Sequence, residues 1–134
     1  MPRMMPNLQR RAPFAVDALV LHVARTANRA LSAKAISQRL AASGEPVAPM
    51  QIYRSLHRLQ CEGKVRRIEC LNAFCCDHGG ELVVFCSDCH AFVCLEDEEL
   101  RASLADMSGH LGYQLNRSII EIAGTCPDCA GRTR

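Results

Sequence analysis

The stretch from Pro49 to Glu69, PMQIYRSLHRLQCEGKVRRIE, decides how the first half of the chain is read. Proline suits the first turn of a helix because its missing N–H would have had no helical partner there. Gly63 offers the backbone freedom at which helices commonly stop. Between them Ile52, Leu56 and Leu59 recur at helical spacing and make one apolar stripe. That stripe leaves Gln51, Tyr53, Arg54, Arg58 and also Ser55 on or near the exposed side. A helix is therefore expected from Pro49 to about Glu62. Beyond Gly63, the segments Lys64–Glu69 and Leu71–Cys76 read as a short β-hairpin through Val65, Ile68 and Phe74.

Two further helices precede this one. From Phe14 to about Arg25, either Phe14, Ala18, Leu21 and Ala24 or Val16, Val20 and Val23 recur at helical spacing. The next begins at Ser32, whose hydroxyl can cap free backbone N–H groups, with Leu31 and Ile36 placed around it as a hydrophobic staple. It should end before Gly44. Residues 1–12, rich in proline and arginine without an apolar period, read as a flexible basic arm. Helix, helix, basic helix and hairpin is the order of a winged helix-turn-helix, whose third helix enters the DNA major groove.

The second half has another rhythm. Glu81–Phe85, Ala91–Leu95 and Asn116–Ala123 are strand candidates, the last with a β-branched centre at Ser118–Ile122. A helix is expected from about Asp97 to His110, acidic in its first turn as the helix dipole prefers. Its Leu100, Leu104, Met107 and Leu111 share a face, and Gly112 should end it. Three strands and one helix are too little to be stable alone, so a zinc staple and a second copy of the chain are expected. The fold class is thus α+β. The expected domains are the arm at 1–12, a winged-helix DNA-binding domain at 13–77, and a dimerisation and metal-binding domain at 78–134.

Charge divides along the same line. Residues 1–68 hold twelve Lys/Arg against three acids and residues 69–134 hold four against eleven, so the formal net charge of +2 conceals halves of about +9 and −7. The basic half suits a polyanion, and the acidic half suits a part held away from it. The apolar stretch from Phe14 to Ala24 is interrupted by Asp17 and His22 and is too short to span a bilayer. Met1–Pro13 lacks the apolar core of a secretory signal. The expected setting is cytoplasmic, with no membrane partner.

Nine cysteines in 134 residues is a high and odd count, which fits metal binding in a reducing compartment better than a disulfide framework. Cys86-Ser-Asp-Cys89 and Cys126-Pro-Asp-Cys129 are two C-x-x-C pairs separated by the 36 residues 90–125. Each pair chelates one ion from a tight turn, and four thiolates make the closed tetrahedral site typical of structural zinc. Neither pair opens a helix in a thioredoxin-like pattern. Cys75-Cys76-Asp77-His78 puts three types of zinc ligand in four residues and reads as a second site. Period-two alternation places Cys75 and Asp77 on one side of a strand and Cys76 on the other. Cys61 and Cys70, taken singly, read as small buried hydrophobes. His22, His57, His90 and His110 read as ordinary histidines.

Met50-Gln-Ile-Tyr-Arg-Ser-Leu, Gly63-Lys-Val-Arg-Arg-Ile-Glu, Cys86-x-x-Cys89 and Gly124-x-Cys126-x-x-Cys129, in this order, resemble the ferric uptake regulator superfamily, over about residues 14–131. The resemblance implies a homodimeric bacterial repressor in which a bound metal ion locks the domains into the DNA-binding arrangement. By position it implies that Tyr53 and Arg54 contact DNA, the tyrosine at bases and the arginine at a guanine edge or phosphate. Gln51 can add a bidentate contact to adenine, and Arg58, Lys64 and Arg66 serve phosphates.

The sensor site departs from the family. His78-Gly-Gly-Glu-Leu82 replaces its histidine-rich stretch, Arg117 stands where a histidine ligand is frequent, and Arg66 where zinc-responsive members tend to have His or Asp. Cys75 or Cys76 lies near a position that is Cys in zinc-sensing members, and Cys94 replaces an acidic ligand. Thiolate in place of carboxylate shifts preference from Fe(II) or Mn(II) toward Zn(II). The chain therefore looks closest to the zinc uptake regulators. It is expected to hold one structural zinc and one exchangeable, regulatory zinc on Cys75 or Cys76, His78 and Cys94, with Asp77, Cys70 or Cys61 as fourth ligand. The expected function is zinc-dependent repression of zinc uptake genes through operator DNA, with no catalysis and no small-molecule substrate. The alternatives are a regulator of the same superfamily answering to another metal or to peroxide, a zinc-stapled interaction module, and a thiol redox switch.

Overall fold

A computed structural model describes residues 11–76 and 79–132. The expected arm up to residue 10, together with Asp77 and His78, lies outside the described residues. Contacts divide the chain into two units, Met1–Asp77 and His78–Arg134.

The first unit contains α1 (Pro13–Thr26), α2 (Ala33–Ala42), α3 (Pro49–Cys61), β1 (Val65–Ile68) and β2 (Ala73–Cys76). Of the two stripes available to α1, the fold buries Val16, Val20 and Val23 with Ala24, and leaves Phe14 78% exposed. Ser32 caps α2 by accepting the Ala35 N–H at 3.1 Å, and the flanking Leu31 and Ile36 are both buried. On α3, Ile52, Leu56 and Leu59 are each 1% exposed, and burying each such side chain stabilises by about 1.5–3 kcal/mol. Ser55, expected on or near the exposed side, is instead fully buried, because α1 packs over that flank of α3.

The hairpin pairs antiparallel in the register Val65↔Cys76, Arg66↔Cys75, Arg67↔Phe74 and Ile68↔Ala73. Val65, Phe74 and Cys76 alternate onto the face that joins the helical core. Leu31 adds a one-residue third strand by exchanging backbone hydrogen bonds with Phe74.

The second unit contains β3 (Leu82–Cys86), β4 (Phe92–Leu95), α4 (Glu98–His110), β5 (Ile120–Gly124) and a short α5 (Pro127–Ala130). The sheet order is β4-β3-β5, antiparallel between β3 and β4 and parallel between β3 and β5. The expected strand at Asn116–Ala123 thus forms later than its sequence suggests. β3 offers its first partner at Leu82, opposite Ile120, so the residues before Ile120 have no ladder to join. Asp97 caps α4 by accepting the Leu100 N–H at 3.0 Å. Gly80 has φ +92°, and a Cβ there would collide with the Leu95 carbonyl, so the entry to β3 needs glycine. No residue of α4 is fully buried. Among the described residues no helix is long and apolar enough to cross a membrane.

Candidate metal centre and nucleic-acid interface

β3 and β5 run parallel as neighbours, so their C-terminal ends, Cys86 and Gly124, lie side by side. Each strand then turns directly into a C-x-x-C loop. After β3, the Cys86 N–H donates to the Ala91 carbonyl at 2.8 Å and the His90 N–H to the Cys86 carbonyl at 3.0 Å. His90 closes this turn in the left-handed region, at φ 66°. After β5, Cys126 caps α5, its sulfur accepting the Cys129 N–H at 3.4 Å. The Ser87 N–H donates to the Gly124 carbonyl at 2.9 Å and ties the two loops together.

The result is a cluster in which the sulfurs of Cys86, Cys89, Cys126 and Cys129 all lie within 4.8 Å of one another. Cys89 and Cys126 approach to 3.7 Å. Four sulfurs placed tetrahedrally at the usual zinc–thiolate distance are about 3.8 Å apart, so the donor set and its spacing fit zinc. The electrostatics fit as well. Backbone N–H groups of Cys89 and Cys126 directed at the Cys86 sulfur hold its thiol down at about 6. The neighbouring Cys126 sulfur, with burial, pushes Cys129 up to about 12. Without metal, four thiols this close cannot all ionise, and a dication removes that conflict by displacing the protons.

The remaining candidate cysteines are spread over α3, the hairpin and β4. Cys76 packs in the core of the first unit, and Cys75 lies on the opposite strand face, in register with Arg66. Cys94 is half-buried on β4 opposite Val83. His78 and Asp77 are outside the described residues. Cys61 and Cys70, expected to be buried, are exposed, because α3 turns its last residue outward and Cys70 sits in the hairpin turn. In the second unit Arg117 lines a cleft of about 250 Å³ with Glu81 and Arg101, which form an ion pair at 3.1 Å.

Of the six residues expected at nucleic acid, Tyr53 and Arg54 stand exposed on α3, Tyr53 at 58%. Arg54 makes no ion pair among the described residues. Arg58 is already engaged, its Nη2 and Nε donating to Asp17 at 2.7 and 3.1 Å. Burial raises the Asp17 carboxyl, but the hydrogen bonds and charge of Arg58 outweigh it and hold the group below its ordinary value. Gln51 donates to the Arg11 carbonyl at 2.9 Å. Lys64 pairs with Glu62 at 3.1 Å on the surface, and Arg66 lies on β1. Asp17 escaped sequence reasoning, because a contact 41 residues distant leaves no local signal.

A winged helix-turn-helix followed by a small sheet unit with a four-cysteine zinc site is the build of a metal-responsive transcription repressor. Known proteins agree. No protein-family model matches the chain. The zinc uptake regulation protein of Mycobacterium tuberculosis is 28% identical over 103 residues, 73% of this chain and 78% of that protein. The crystal structure of holo XcZur is 30% identical, with a TM-score of 0.73 over 87% of this chain and 84% of that one. A zinc uptake regulator complexed with zinc and DNA shares the fold at a TM-score of 0.77 and 22% identity, over 87% of this chain and 82% of that one. The chain belongs to the ferric uptake regulator superfamily, in its zinc uptake regulator branch.

Proposed function

We propose that this protein is a zinc-responsive repressor, without catalytic activity, that binds operator DNA as a homodimer and controls zinc uptake genes. The single observation that carries the reading is the four-sulfur cluster at the ends of β3 and β5, in a chain whose relatives are zinc uptake regulators. Thiolate-rich donor sets favour zinc over iron or manganese. In this reading Cys86, Cys89, Cys126 and Cys129 hold a permanent zinc, and the first unit is the DNA-binding domain. Tyr53 and Arg54 read bases, while Lys64 and Arg66 meet phosphates. Arg58, Gln51 and Lys64 reach DNA only by exchanging their present partners.

The second unit carries the dimer interface. On one face of its sheet, Leu82, Val84, Val93, Leu95, Ile120 and Ile122 align in register. Val93 is 56% and Ile122 46% exposed in a single chain. A continuous apolar face of this kind supports a second copy as its cover.

A second, exchangeable zinc provides the response, with Cys94, His78 and a cysteine of β2 as ligands. Cys75 and Cys76 are both buried, so either must be uncovered to reach the ion. The test is Cys94→Ser, assayed on a duplex selected from a randomised library with zinc-loaded wild type. The variant should lose zinc-dependent binding and keep one zinc per chain. Unchanged binding would refute the assignment.

A further inference from the structure

A second pair of metal-ligating side chains lies together outside the four-cysteine centre. His57 and Cys61 are four residues apart on α3, so they project from one side of the helix about one turn apart. Both are exposed. The Cys61 Sγ and the His57 Nε2 stand 3.8 Å apart. Zinc holds a thiolate at about 2.3 Å and an imidazole nitrogen at about 2.0–2.1 Å, and at a tetrahedral angle these lengths separate the two ligand atoms by about 3.6 Å. The pair is therefore spaced as two ligands of one ion, with no backbone movement required. Histidines at the same i, i+4 spacing hold zinc on the helix of the H-E-x-x-H motif.

Position gives the pair its consequence. Tyr53, His57 and Cys61 follow one another at four-residue steps, and Arg54 lies three residues before His57, so all four share one exposed stripe of α3. We propose that His57 and Cys61 form a low-affinity zinc site on this stripe, and that filling it at excess zinc releases the operator. The metal site stands on its own geometry, while the release rests on the proposed DNA-reading role of α3. Two protein ligands completed by water bind more weakly than four thiolates, so this site fills last. Base readout needs side chains within about 3 Å of base edges, and an ion still carrying its waters does not fit that gap. Cys61 thereby serves here, and not as fourth ligand of the regulatory zinc.

The full chain carrying its structural zinc is titrated with cobalt(II), whose bond to thiolate absorbs visible light. Wild type should take up one more cobalt per chain than Cys61→Ser or His57→Gln. Equal uptake would overturn the site. Operator affinity is then followed against free zinc within each protein. Wild type should rise to a maximum and then fall, by about elevenfold at a zinc concentration ten times the dissociation constant of the site, and both variants should hold their maximum. A fall that persists in both variants, or its absence in wild type, would overturn the release. If no duplex is selected at any zinc concentration, the DNA-binding reading itself fails, and the cobalt titration alone decides the site.

Discussion

Replacing Cys126 by serine separates metal ligation from everything else the cysteine does. Its sulfur caps α5 and its N–H donates to Cys86 at 3.4 Å. Serine preserves the backbone N–H and is itself a good cap, so the loss is confined to the metal. Among the described residues of the second unit, the buried apolar ones are Val83, Phe85 and Cys86. Val83 and Phe85 stabilise by about 1.5–3 kcal/mol each, whereas structural zinc in small domains contributes about 10–16 kcal/mol of apparent folding free energy. The metal therefore dominates, and Cys126→Ser in the presence of a chelator should unfold this unit. Hydrogen exchange read by mass spectrometry is the assay. Amides in Leu82–Cys86, Phe92–Leu95 and Ile120–Gly124 should lose protection, while those of α1 and α3 keep it. Sustained protection of β3 and β5 in a variant shown to be metal-free would refute the reasoning.

Leu56→Ala, at a site 1% exposed, should cost about 2–5 kcal/mol in the first unit; an unchanged thermal midpoint would contradict the assigned core. Arg54→Ala should weaken operator binding by about 1–3 kcal/mol without shifting that midpoint, and undiminished affinity would remove Arg54 from the interface. The Asp17 carboxyl is held below its ordinary value in the folded chain, so its ion pair with Arg58 stabilises fully above the unfolded value near 3.8 and loses that effect as pH falls through the lower folded value. The stability gap between wild type and Asp17→Asn should accordingly close over that acid window, and a gap independent of pH would count against the ion pair. Val93→Asp, at a position 56% exposed on the apolar sheet face of the single chain, should weaken dimerisation in sedimentation experiments and spare the first unit; dimers as tight as wild type would place the interface elsewhere.

Much of this was legible because its causes are local. Pro49, Gly63 and the Ile52–Leu56–Leu59 period marked α3, and Ser32 with its staple marked α2. The four zinc-site cysteines could be grouped from spacing alone, since two chelating pairs need one another to close a tetrahedron. What stayed hidden depends on partners distant in sequence. Choosing between the two stripes of α1 needed the packing of α3, and the same packing buries Ser55. The parallel pairing of β3 with β5 brings the two C-x-x-C loops together, and periodicity carries no information about strand order. The pairing of His57 with Cys61 could have been read from i, i+4 spacing, but a histidine and a cysteine each have ordinary roles until a distance joins them.

The most direct test of the central claim is zinc per chain, counted by native mass spectrometry before and after a mild chelator, with operator affinity measured on the same samples. The account predicts one zinc that survives chelation, one that is lost, and operator binding that falls with the second and returns when zinc is restored. Operator binding that persists after the removable zinc has gone, or a chain that never holds more than one zinc, would contradict it.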